Sequence, residues 1–98
     1  MVKIGDIEID LIKHRVSVKE GEVSLTSKEY ALLSFLASNP GRLYSRDALL
    51  NHVWGYDYFG GDRTVDVHIR RLRSKIEDPE HSFIDTVRNM GYCFRKQE

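Results

Sequence analysis

Five cations, Arg63, Arg70, Arg71, Arg73 and Lys75, fall within the sixteen residues from Asp62 to Glu77, against three acids, Asp62, Asp66 and Glu77. The stretch is cationic inside a chain whose formal charge is zero. A guanidinium holds several N–H donors in one plane, which matches paired acceptors such as a phosphate or the O6 and N7 edge of guanine. At about 100° per residue, Val65, Ile69, Leu72 and Ile76 share one side of a helix, an apolar stripe that has to rest on a core. Arg63, Val67, Arg70, Arg71 and Ser74 face the other way. Asp66 and Arg73 flank them on one side, and Thr64, His68 and Lys75 on the other. A helix anchored along one side and cationic along the other is suited to press on an anion, and DNA is the anion these residue types favour.

Val67 is an apolar residue among arginines, where it could meet a thymine methyl group. Without it the arginines read equally well as a solvated face. Arg88 precedes Asn89 at the tip of a predicted hairpin, from which a lone arginine can reach a narrow minor groove, although tip charges are often idle. Thr64, Thr86 and Tyr92 could bond phosphate oxygens or serve ordinary turn and strand roles. Trp54 reads as a core plug or as an indole N–H aimed at a phosphate. His68 reads as a phosphate donor or as a packed, satisfied ring.

The elements that must hold these residues are legible in turn. Ninety-eight residues suit one domain, here residues 1–98, and 41% hydrophobic with 31% charged content is ordinary for a globular chain. No apolar run nears the roughly 20 residues that span a bilayer, so no membrane partner and a soluble, cytoplasmic protein are expected. Cys93 is the one cysteine, which rules out an internal disulfide and a cysteine-cluster metal site. Zero net charge argues against indiscriminate polyanion binding, so a nucleic-acid site must be a local patch.

Period-two alternation at Val2/Ile4, Ile7/Ile9/Leu11, Val16/Val18 and Val23/Leu25 predicts a small antiparallel sheet of three or four strands. Thr26 and Glu29 form a capping-box pattern ahead of a helix from Ser27 to about Ser38, which Asn39-Pro40-Gly41 stops. Ser45 caps a second helix, Arg46 to Trp54, with Gly55 as its exit. Asp62 is expected to cap the third. Between them lie Tyr56, Asp57, Tyr58 and Phe59 before two glycines, an aromatic loop that is either folded back or offered to a partner. Two β-rich runs around Asn89-Met90-Gly91 predict a hairpin. Sheet, three helices and hairpin in that order give an α+β winged helix.

Enzymatic chemistry finds little support. His14, His52, His68 and His81 show no ligand spacing, and there is no H-E-x-x-H, glycine-rich phosphate loop or nucleophile elbow. Neither catalysis nor a cofactor is expected.

Taken together, Leu25-Thr26 with Glu29-Tyr30, Pro40-Gly41-Arg42 with Ser45-Arg46, Val53-Trp54-Gly55, the run from Arg63 to Arg73, and Thr86-Val87-Arg88 with Gly91-Tyr92 and Phe94 resemble the OmpR/PhoB-type effector domain of bacterial response regulators. The resemblance covers nearly the whole chain. It implies a winged helix-turn-helix with an N-terminal four-stranded antiparallel sheet, three helices and a C-terminal β-hairpin wing. It further implies a transcription regulator that binds double-stranded promoter DNA on direct repeats, a monomer alone and a head-to-tail dimer on DNA. Such domains follow a phosphorylatable receiver domain, for which this chain has no room. Carried over by motif, Asp66, Val67, Arg70 and Arg71 would face the major groove and Arg88 the minor groove. Trp54, Arg63, Thr64, His68, Arg73, Thr86 and Tyr92 would lie at phosphates, and Tyr56 to Phe59 in the loop that can touch RNA polymerase. The family usually has glycine where this chain has Asn89, a residue that tolerates the left-handed conformation. The rival class is a winged-helix protein-interaction module, and a third reading is double-stranded RNA binding.

Overall fold

The alternating N-terminal residues form four short strands: β1 (Val2–Ile4), β2 (Ile7–Asp10), β3 (Arg15–Val18) and β4 (Gly21–Val23). They pair in sequence order, all antiparallel, in a computed structural model that describes residues 1–96. Gln97 and Glu98, the end of the expected domain, lie outside the described residues. The register sets Ile9 opposite Val16, and both side chains are buried with Ile7 on the inner face of the sheet. Lys3–Glu8 and Arg15–Glu22 ion pairs, at 3.6 and 3.7 Å, lie on its exposed side. Leu11 does not extend the second strand as its alternation predicts. The Asp10 carboxylate accepts the amides of Ile12 and Lys13, each at 3.0 Å, and this local bond turns the chain before Leu11 can pair.

Helix α1 (Ser27–Ala37) opens on the expected capping box: the Glu29 amide donates to Thr26 Oγ1 at 3.2 Å, and the Thr26 amide to Glu29 Oε1 at 3.0 Å. Leu32, Leu33, Leu36 and Ala37 of this helix are buried, so α1 runs through the centre of the core. Gly41, with φ of 83°, reverses the chain after it. Helix α2 (Arg46–Trp54) starts at Ser45, whose hydroxyl accepts the Ala48 amide at 3.1 Å. Before it lies β5 (Leu43–Tyr44), a two-residue strand that local pattern did not predict.

The third helix, α3 (Arg63–Ile76), packs on α1 and α2. Strands β6 (Ile84–Val87) and β7 (Gly91–Phe94) form the hairpin, and β5 completes a three-stranded sheet in the order β5-β7-β6. Gly91 is where β5 comes closest: a Cβ there would collide with the Tyr44 carbonyl, and its φ of 148° is one that other residues rarely adopt. Phe83, Ile84 and Phe94 join the helices in one core. The architecture is the α+β winged helix with an N-terminal four-stranded sheet that the element order implied.

Candidate nucleic-acid interface

Val65, Ile69, Leu72 and Ile76 are all buried, so the apolar stripe of α3 rests on the core as its spacing requires. That fixes the helix rotation. Arg63, Arg70, Arg71, Ser74 and Lys75 are exposed, and Val67 keeps 44% of its surface in contact with solvent. Among the described residues Arg63, Arg70, Arg71 and Arg88 take part in no ion pair, although Arg63 attracts the Asp66 carboxylate from a longer distance. Asp62 does not cap α3. It adopts a helical conformation with no side-chain cap bond, and the carbonyls of Gly61 and Asp62 accept the amides of Thr64 and Val65 at 3.1 and 3.0 Å instead.

The flank of the helix is held by three polar attachments, and two of them engage expected site residues. Asp66 Oδ1 accepts both Arg46 Nε of α2 at 2.7 Å and the Tyr92 hydroxyl of β7 at 2.6 Å. Burial pushes the Asp66 carboxyl up, but these two donors outweigh it and hold it below its usual range. The Tyr92 phenol is pushed up to about 12, by burial first and then by the Asp66 carboxylate. Tyr92 is buried, and its hydroxyl is engaged by Asp66 within the fold. Arg73 is likewise turned to internal work: Nη1 donates to Thr86 Oγ1 at 2.7 Å and Nη2 to the Ile84 carbonyl, tying α3 to β6. The third attachment is Lys75, whose Nζ sits 2.6 Å from Glu29 Oε1. Glu29 is 1% exposed, and although burial raises its carboxyl, Lys75 and the Thr26 groups bring it below the ordinary value.

On the opposite flank, Trp54 packs edge-on against His68 with ring centroids 4.9 Å apart. Trp54 is half-buried and packs against the core. His68 Nδ1 lies 2.8 Å from the Thr64 carbonyl, which only accepts. Nδ1 is therefore the donor in this contact. The aromatic loop is divided. Tyr58 folds back toward Trp54, with its hydroxyl 3.3 Å from Thr64 Oγ1, while Tyr56 and Phe59 are 87% and 100% exposed beside exposed Asp57. At the wing tip Arg88, Asn89 and Met90 link Val87 to Gly91, and Asn89 takes the left-handed conformation with φ of 66°. Thr86 and Arg88 are exposed on this hairpin.

The arrangement joins an exposed cationic helix to a thin β-finger with a cation at its end. It brings together Arg63, Thr64, Val67, His68, Arg70, Arg71, Thr86 and Arg88 as solvent-facing or half-exposed groups; Tyr92 is buried, and the half-exposed Arg73 is bonded to β6. Sequence reading missed Arg46 as a partner of Asp66 and Glu29 as the anchor of Lys75. Glu29 could have been suspected, since it carries a charge among Leu32, Leu33 and Leu36. Nothing local marks Arg46, twenty residues away from Asp66. Among the described residues there is no cluster of three His, Cys, Asp or Glu that could hold a metal, and no helix long and apolar enough to cross a membrane.

The chain is 46% identical over 94 residues to the DNA-binding response regulator MtrA of Mycolicibacterium smegmatis. It is 43% identical over 95 residues to the phosphate regulon transcriptional regulatory protein PhoB of Escherichia coli. These alignments cover 94% and 96% of the chain but only 41% and 42% of the relatives, so it spans about two-fifths of their length. Among solved structures, the Klebsiella pneumoniae RstA DNA-binding domain in complex with the RstA box is similar at 38% identity with a TM-score of 0.85, covering 96% of this chain and 95% of that one. The response regulator DrrB of Thermotoga maritima, an OmpR/PhoB homolog, is similar at 34% identity and a TM-score of 0.87, over 96% of this chain and 43% of that one. Its own fold, its cationic third helix and the match of residues 20–94 to the family described as "Transcriptional regulatory protein, C terminal" agree, and the chain belongs to that family.

Proposed function

We propose that this chain binds double-stranded promoter DNA sequence-specifically and regulates transcription as the output domain of a two-component response regulator. The observation that carries this reading is the pose of α3: its aliphatic side is sealed against the core while Arg63, Val67, Arg70 and Arg71 stand in solvent. The similar RstA domain is a DNA complex by its own description, which supports a duplex as the ligand.

In this reading Val67, Arg70 and Arg71 contact base edges in the major groove, joined by the Asp66 oxygen that Arg46 and Tyr92 leave open, and Arg88 enters the minor groove. Arg63, Thr64, Thr86, the Trp54 indole N–H and His68 contact phosphates. The exposed Tyr56, Asp57 and Phe59, with Tyr58 as the strut beneath them, form the surface offered to RNA polymerase. The remaining partners are a receiver domain and a second copy in a head-to-tail pair on direct repeats, with the isolated domain monomeric, in the cytoplasm. The chain has no catalytic role in this scheme.

The test is a titration with duplexes enriched from a random pool, against unrelated duplex and RNA. Arg71→Ala is expected to cost about 1 to 3 kcal/mol of discrimination at one base pair while leaving the melting curve unchanged. A chain that enriches no sequence, yet holds a protein partner tightly with no salt dependence, would establish the protein-interaction module instead.

A further inference from the structure

We propose that Arg46, which lies outside the exposed face of α3, is a positioning residue for sequence discrimination and acts through Asp66. The inference rests on the reading of α3 as the base-reading helix. Arg46 begins α2, and its Nε meets Asp66 Oδ1 at 2.7 Å, the same oxygen that accepts the Tyr92 hydroxyl at 2.6 Å. Two donors on one oxygen fix both the side-chain torsion and the plane of the carboxylate. Among the described residues Asp66 Oδ2 has no hydrogen-bond partner, and the side chain is 36% exposed, so one acceptor oxygen is left unclaimed on a carboxylate that the other oxygen anchors. A carboxylate oxygen of this kind pairs with an amino group such as cytosine N4 and repels the acceptor edge of guanine.

Arg46 has a second effect of the same origin. Asp66 is flanked on its own helix by Arg63, three residues before, which already attracts the carboxylate, and Arg70, four residues after; both are exposed, and neither forms an ion pair among the described residues. Residues at these spacings are neighbours on a helix surface, so without Arg46 the carboxylate, left with Tyr92 alone, would turn toward one of them and draw a guanidinium away from the duplex. Arg46 supplies the competing cation from a different helix. It keeps the acid of α3 from neutralising the arginines beside it.

The experiment enriches duplexes from a random pool with the native chain, then measures affinity for the enriched and an unrelated duplex with Arg46→Ala, Asp66→Asn and the double variant across a salt series. Arg46→Ala is expected to narrow the ratio of the two affinities about tenfold, the size of one base contact. In the Asp66→Asn background the same substitution is expected to add nothing, as it must when one residue works through the other. Independent, multiplying effects, together with a salt slope lowered by about one, would show that Arg46 touches a phosphate itself and overturn the proposal. An unchanged ratio would overturn it too. Arg46→Lys keeps a charge near Asp66, so it replaces Arg46→Ala if that variant does not fold, with a smaller narrowing of the ratio expected and no change overturning the proposal. If the native chain enriches no sequence, the reading of α3 has failed, and this proposal with it, before any variant is made.

Discussion

Tyr92 and Asp66 stand twenty-six residues apart in the chain and 2.6 Å apart in space, where a buried phenol on β7 donates to a carboxylate on α3. The bond exists only while the phenol keeps its proton. The folded phenol is held at about 12, above the usual value of about 10, so the stabilisation is fully present below about pH 10 and is lost as the pH rises through 12. Tyr92→Phe is expected to cost about 1.5 to 3 kcal/mol at neutral pH, the range for a hydrogen bond to a charged group, and to remove this alkaline decline. Urea unfolding of both proteins across that range checks it. Parallel decline would show that another group is responsible.

Arg73 tests the separation of scaffold from contact surface. Its guanidinium bonds Thr86 and the Ile84 carbonyl, so Arg73→Met is expected to lower stability by about 1.5 to 3 kcal/mol. The dependence of DNA affinity on salt should keep its slope. Arg63→Ala should do the reverse, leaving stability alone and lowering the slope by about one. A shallower slope in Arg73→Met would return that residue to the phosphate contacts.

The acid limb of stability should have a local source just beyond the end of α3. Asp78 is held at about 2, first by the His81 ring at 2.9 Å, then by the Glu80 amide at 2.8 Å, with Lys19 at 3.5 Å adding attraction. Its folded value is depressed, so its contribution is present above about pH 4 and disappears as the pH falls through 2. His81 Nε2 also lies 3.4 Å from Asp6, which joins this loop to the turn between β1 and β2. Asp78→Asn is expected to flatten the loss of stability over that interval, as followed by thermal melting at several pH values. An acid profile identical to the native one would remove Asp78 from the account.

What could be read from the sequence was what neighbours in the chain decide. The stripe Val65, Ile69, Leu72 and Ile76 fixes its own burial by spacing, and the Thr26–Glu29 box closes within four residues. Asn89 was legible for the same reason, since its left-handed conformation is a property of one residue in one turn. Strand β5 was not, because two residues carry no alternation and Leu43–Tyr44 is a strand only where β7 lies beside it. The site divides along the same line. Exposure of Arg70, Arg71 and Val67 follows from helix phase, whereas the internal bonding of Tyr92 and Arg73 depends on Asp66 and Thr86 arriving from distant segments. Asp62 fails as a cap because backbone carbonyls had already taken the first amides of α3.

Asp66 and Arg73, two turns apart on α3, fasten that helix to β7 and β6 respectively. The gap between the helix and the finger is thus set like the jaw of a fixed wrench. In the proposed complex, a duplex gripped by both would have to supply a matching groove spacing by its own bending, so the stiffness of base pairs that no side chain reaches would become part of what is selected.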